Sequence, residues 1–161
     1  GVLILYDTKR FYPKEEAYIP LESQILETVL ALCYHFGEKG IPFSLLCGQN
    51  GAKKLEATGL SQLEYVYQET CQIRFDERED GERLLEQVVQ ERLHLQARSL
   101  IMVAHRVSDG LMRRLLQFSG EGLPVMLYLV TDEDAEEVIR QSNSRLKIMV
   151  LPITGDLEEL L

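Results

Sequence analysis

The sequence predicts an α/β domain: a doubly wound, mostly parallel sheet with helices on both faces. Three observations carry this. Five short runs, VLILY, IPFSLLC, SLIMVA, LPVMLYLV and KIMVLPI, are almost uniformly apolar, as strands buried on both faces must be. Segments between them repeat apolar residues at steps of three and four, the stripe of a helix lying on a core. Finally, Asn50-Gly51 stands between two strand-like runs, and both residues tolerate the positive φ of a tight hairpin. The third strand is therefore expected to run antiparallel to the second. Parallel strands linked by helical crossovers make the doubly wound plan.

The elements follow in order. Val2 to Tyr6 is the first strand, and Asp7 stands where it stops. A polar loop, TKRFYPKEEAYIP, leads to Pro20, which suits the first turn of a helix. That helix carries Leu21, Ile25, Val29, Leu32, Cys33 and Phe36 on one side, and Gly37 or Gly40 closes it as a left-handed cap. IPFSLLC is the second strand, and the hairpin to the third follows. Ser61 with Glu64 predicts a capping box for a helix through Leu63, Val66, Tyr67, Thr70 and Ile73. FDEREDG breaks it, and ERLLEQVVQERLHLQ forms another. SLIMVAH is the fourth strand; Ser108 caps a helix to about Phe118, closed by GEG. LPVMLYLV is the fifth strand, Thr131 and Asp134 cap the helix DEDAEEVIRQS, and KIMVLPI is the sixth strand. DLEELL reads as a short helix or an acidic tail.

The chain has 161 residues, which suits one domain over 1–161. A domain of this size buries roughly 70% of its unfolded surface, enough for a core on both sides of a sheet. Because strand-forming residues begin at once after Gly1, with no initiator Met, the sequence reads as a fragment of a longer chain. Acidic residues outnumber basic ones, 26 to 17, for a net charge of -9. That argues against nucleic acid and against direct contact with an anionic membrane, both of which need clustered Lys and Arg. Cys33, Cys47 and Cys71 form no CxxC pair and are expected to be three buried free thiols. His35, His94 and His105 are too scattered for a metal motif, and His35 and His94 read as helix-surface residues. The sequence has neither a GKS/GKT phosphate loop nor a GxGxxG after the first strand. A Cys47-His105 nucleophile pair is excluded by the intervening first strand, about 10 Å of separation at the usual strand spacing.

The hairpin after the second strand resembles the von Willebrand factor A domain. The text VLILYDTKRFYPKEEAYIPLESQILE resembles the C-terminal von Willebrand A-like domain of bacterial membrane proteins of the "domain of unknown function fifty-eight" family. The resemblance spans essentially the whole chain and implies six strands in the order 3-2-1-4-5-6. Domains of this type often hold Mg²⁺ through Asp-x-Ser-x-Ser after the first strand, a Thr before a middle helix and an Asp after the fourth strand. In this sequence Asp7 fills the first position, but Lys9 and Phe11 stand at the serines. Gly81-Glu82 falls near the threonine position, and Ala104-His105 stands where Thr-Asp is expected. The resemblance thus implies a degenerate metal site, with no metal and no cofactor expected. Asp7 is expected to pair with Lys9, Arg10 or His105, to cap a nearby helix, or simply to meet water.

The carboxyl-end edge of an open parallel sheet is where its loops converge and ligands bind. The expected binding face is therefore Asp7, Lys9, Arg10, His105, Arg106, Asp109, Thr131 and Asp132. Phe11, Tyr12, Tyr18 and Ile19 lie beside it as a lid on the core or as a contact patch. The resemblance implies a non-enzymatic interaction module on the cytoplasmic side of a membrane-anchored parent, with an AAA+ ATPase of the MoxR type as partner. The alternatives are a Mg²⁺-dependent adhesion-type domain using Asp7, and a small Rossmann-like enzyme or ligand-binding domain.

Overall fold

The computed structural model describes residues 1–47, 53–75 and 80–153. Its strands are β1 (Val2–Tyr6), β2 (Phe43–Cys47), β3 (Lys53–Ala57), β4 (Ser99–Ala104), β5 (Val125–Val130) and β6 (Leu146–Leu151). They form one sheet in the order β3-β2-β1-β4-β5-β6. All neighbours are parallel except β2 and β3, which pair antiparallel from Phe43 opposite Ala57 to Cys47 opposite Lys53. The expected Asn50-Gly51 turn lies outside the described residues. Cys47 and Lys53 face each other, however, so residues 48–52 alone join the strands. That is too short for a crossover helix, which needs about a dozen residues.

The helices are α1 (Glu15–Glu38), α2 (Leu63–Cys71), α3 (Gly81–Gln90), α4 (Asp109–Gly120) and the single turn α5 (Glu136–Ile139). Alternate residues of each strand face opposite ways, and this divides the core into two. Val2, Ile4 and Tyr6 meet Leu21, Ile25 and Val29 of α1 and Val66 of α2 on one face. Leu3 and Leu5 meet Leu84, Leu85 and Val88 of α3 and Leu111, Leu115 and Phe118 of α4 on the other. Every residue of β1 is buried, as a central strand covered on both faces requires.

Several local expectations are corrected. α1 starts at Glu15, not after Pro20, so half of the supposed loop is helix. Lys14 is extended at the N-cap, and Glu15 and Glu16 in the first turn favour the positive end of the helix dipole. Pro20 lies inside the helix on its exposed side, where water can replace the missing N–H. At the other end, Gly40 rather than Gly37 takes the left-handed conformation, with φ +66°. Ile41 N then donates to the Phe36 carbonyl at 2.9 Å, closing the helix end.

Ser61 is not an N-cap. It lies in a single 3-10 turn, Leu60–Gln62, and Gln62 precedes α2 without a side-chain cap bond. The helix after Gly81 ends at Gln90, and Arg92 with φ 57° separates it from a 3-10 turn at Leu93–Leu95. His94 in that turn packs its ring 5.2 Å from that of Phe118 instead of lying on a helix surface. Thr131 and Asp134 cap only a local turn, through Glu133 N and Glu136 N. α5 is one turn long, with none of its own residues buried to anchor a longer helix. Cys33 and Cys47 are buried thiols, whereas Cys71, the last residue of α2, is exposed.

Ile25 is fully buried between α1 and the sheet. Ile25→Ala is expected to lower unfolding stability by about 2–5 kcal/mol, the usual loss for such a truncation, measured by urea titration.

Candidate functional site

In this strand order the chain crosses to opposite faces from β1 and β4, so their carboxyl ends diverge and leave a crevice. Asp7 follows β1 and His105 follows β4, one on each side of it. Asp7 continues the sheet pairing, since its N–H donates to the Val103 carbonyl at 2.9 Å. Its carboxylate is buried, only 3% exposed.

Two backbone amides meet that carboxylate. Lys9 N donates to Oδ1 at 2.8 Å, and the Gly81 amide at the start of α3 lies near enough to favour the charged form. Gly81 is needed for this approach. A Cβ there would lie 2.7 Å from Met102 Cε, 2.8 Å from Leu111 Cδ1 and 3.3 Å from Asp7 Oδ2. The absent side chain lets the helix N-terminus close on the carboxylate. Burial nevertheless dominates, pushing the Asp7 pKa up to about 6 against the two amides and the nearby Lys9 charge.

His105 holds the other end of the same loop. Its Nε2 lies 2.9 Å from the Lys9 carbonyl, an acceptor only, so Nε2 carries the proton. Burial, with the Arg106 charge beside it, lowers the His105 pKa and keeps the ring neutral. Lys9 is thus fixed at both ends of its backbone, N–H on Asp7 and C=O on His105. Phe11 packs edge-on against the His105 ring at 5.1 Å, and Tyr12 lies 6.3 Å from it. Above Phe11 sit two cations, Lys9 Nζ at 5.2 Å and the Arg106 guanidinium at 4.7 Å from the ring centre.

A cleft of about 410 Å³ opens over these residues, with Leu111, Leu129 and Val138 among its apolar lining. Asp7, Phe11, His105, Arg106 and Thr131 line it. So do Asp80, Gly81, Glu82, Ser108, Glu133 and Asp134, none of which the sequence reading placed in the binding face. Most of these polar groups are internally engaged. Asp80 caps α3 through Arg83 N at 3.0 Å. Ser108 Oγ accepts from Leu111 N at 3.1 Å, capping α4, and donates to Glu82 Oε2 at 3.0 Å. Asp80-Gly81-Glu82 is a legible helix start, an Asp cap before an acidic first turn. Its closeness to Asp7 comes from the packing of α3 on one face of the sheet and has no signal in local sequence.

Three expected site residues lie elsewhere. Arg10 makes a bidentate pair with Glu22, 2.9 and 2.6 Å, and stacks 3.7 Å from the Tyr18 ring centre. Asp109 is exposed in the first turn of α4. Asp132 Oδ1 accepts from Ile153 N at 2.9 Å and lines a separate cavity beside α1.

The magnesium site implied by resemblance does not fit these residues. Mg²⁺ requires hard oxygens in a near-octahedral array. Asp7 already accepts the Lys9 amide, and Lys9 and Phe11 offer no oxygen where two hydroxyls would be needed. The hydroxyls nearest the cleft, Ser108 and Thr131, are engaged with Leu111 N and Glu133 N. Among the described residues, no three His, Cys, Asp or Glu side chains are grouped to hold a metal ion.

Two measurements check this geometry. Asp7 binds its proton more tightly in the folded chain than unfolded, pKa about 6 against 3.8. Its contribution is therefore full below pH 3.8 and lost as pH rises through 6, a swing of about 3 kcal/mol at 1.36 kcal/mol per unit. Asp7→Asn lacks this swing. Denaturant titrations from pH 4 to 7 should show wild type gaining about that much on the variant as pH falls. His105 contributes the opposite slope, favouring the folded chain above its ordinary pKa, but it is common to both proteins. The second is Gly81→Ala, which should destabilise by about 1–3 kcal/mol in thermal unfolding, because its methyl meets Met102 and Leu111 in the core.

Neither a family model nor a curated protein sequence matches this chain. Solved structures do. The von Willebrand A domain of SpRpn10 superposes with a TM-score of 0.51 at 14% identity, covering 97% of this chain and 89% of that one. Proximal thread matrix protein 1 from the mussel byssus gives 0.53 at 12% identity, covering 92% of this chain but only 43% of that one. An aerotolerance-related membrane protein from Bacteroides fragilis gives 0.47 at 11% identity, covering 80% and 66%. The six-stranded sheet, its order and its one antiparallel strand make this a von Willebrand A-like fold.

Proposed function

We propose that the domain is a non-enzymatic protein-interaction module that presents the carboxyl-end edge of its sheet to a partner without a bridging metal. One observation carries this reading. Groups that would serve chemistry or metal binding at this edge are engaged within the chain: Asp7 with a backbone amide, Ser108 with an amide and the Glu82 carboxylate, and His105 Nε2 with a carbonyl. The charge left facing out belongs to side chains suited to recognition. Von Willebrand A-like domains are commonly protein-binding, which supports the class but not a particular partner. The opening text resembles the "domain of unknown function fifty-eight" family, and on that resemblance we place the parent chain at a membrane with this domain on the cytoplasmic side. An AAA+ ATPase of the MoxR type is then the proposed partner. No described helix is long and apolar enough to cross a membrane, so an anchor would come from another part of the parent.

The immobilised domain should retain a purified MoxR-type ATPase. Titration of the domain alone with Mg²⁺ or Mn²⁺ to millimolar concentration should give no heat of binding in calorimetry. A saturable heat that disappears in Asp7→Ala would replace this reading with the metal-dependent adhesion one.

A further inference from the structure

Arg106 is the basic side chain among five acidic ones lining the cleft, and Lys9 lies beside it over Phe11. Of these acids Glu133 is exposed at the edge, while Asp7 is buried and accepts the Lys9 amide, Asp80 and Asp134 accept from helix-terminal N–H groups and Glu82 accepts from a hydroxyl. Amides at helix N-termini offset negative charge, so these carboxylates are partly compensated where they stand. Lys9 and Arg106 differ. Among the described residues no carboxylate lies within ion-pair distance of either; both instead rest over the Phe11 ring, and Arg106 is also 5.5 Å from the Tyr12 ring centre. A cation on an aromatic face keeps its charge and its outward N–H donors, while the stem is held still. The Lys9 backbone is itself fixed between Asp7 and His105.

From this arrangement we infer that Lys9 and Arg106, mounted on Phe11, form a receptor for an acidic side chain, Glu or Asp, of a partner protein. The inference rests on the interaction-module reading and supplies its chemistry: the fixed cations take the partner carboxylate directly, with no ion between. A guanidinium offers two parallel N–H donors to one carboxylate, and the ammonium over the same ring adds a second charge. The receptor is assembled before the partner arrives, which reduces the ordering loss on binding. The overall charge of -9 makes long-range encounter with an acidic partner unfavourable, so recognition is local and of short range.

The test is an NMR titration of the isotope-labelled domain with capped glutamate, N-acetyl-glutamate N-methylamide, at constant ionic strength. Capped lysine and capped glutamine serve as comparison probes. The expected result is saturable shifts confined to Lys9, Phe11 and the Arg106 Nε–H, given by glutamate alone. Arg106→Glu should weaken binding at least tenfold, Arg106→Lys less, and Phe11→Ala should weaken it with both charges retained. The dispersed spectrum of each variant shows that it folds. Shifts by lysine in place of glutamate, equal shifts by glutamine, or no shift at all would each overturn the inference. The ATPase capture assay runs in parallel on wild type and Arg106→Glu. Capture that survives the charge reversal overturns the inference and leaves the module reading standing. Glutamate binding without ATPase capture upholds the receptor and removes the proposed partner.

Discussion

A carboxylate shut away from water between a strand end and a helix N-terminus organises this molecule. Asp7 accepts the Lys9 amide, and the start of α3 comes close to it at Gly81, which has no side chain. Burying a carboxyl group is unfavourable unless hydrogen bonds replace water, and these backbone groups do this only in part. The raised pKa records the remainder. In return the interaction ties together three separate parts of the chain: the end of the central strand, the loop that follows it, and the first turn of α3.

The same geometry explains what the edge presents. The loop after β1 is fixed by Asp7 at the Lys9 N–H and by His105 at the Lys9 carbonyl. Phe11 packs on the histidine ring and becomes a platform for two cations from different strands' loops. The edge thus carries an ammonium and a guanidinium on one aromatic face, and among the described residues no group of carboxylates, histidines or cysteines is arranged to hold a metal ion.

Much of the architecture was legible because it follows from periodicity. The uniformly apolar runs became the inner strands, and the stripe of Leu21, Ile25, Val29 and Leu32 became the buried side of α1. Ser108 capped α4 as its position foretold. Helix ends were less legible. Pro20 and Ser61 carry signals for helix starts, but Glu15 with Glu16 and the turn at Leu60–Gln62 set those boundaries instead. Local signals of roughly 1 kcal/mol yield to packing that involves many residues at once. At the site, Asp7 and His105 were legible from their places after core strands, whereas the inward engagement of Arg10 with Glu22 was not.

The sequence alone determined the class of fold and the direction of its strands, since both depend on residue type and spacing along the chain. The tertiary structure decided which groups meet. Glu82 reaches Ser108, Gly81 reaches Asp7, and Arg106 shares the Phe11 ring with Lys9, across separations of 26, 74 and 95 residues for the bonded or stacked partners. No local pattern encodes such meetings, because they arise from how two helices and two strand ends are brought together over one buried carboxylate.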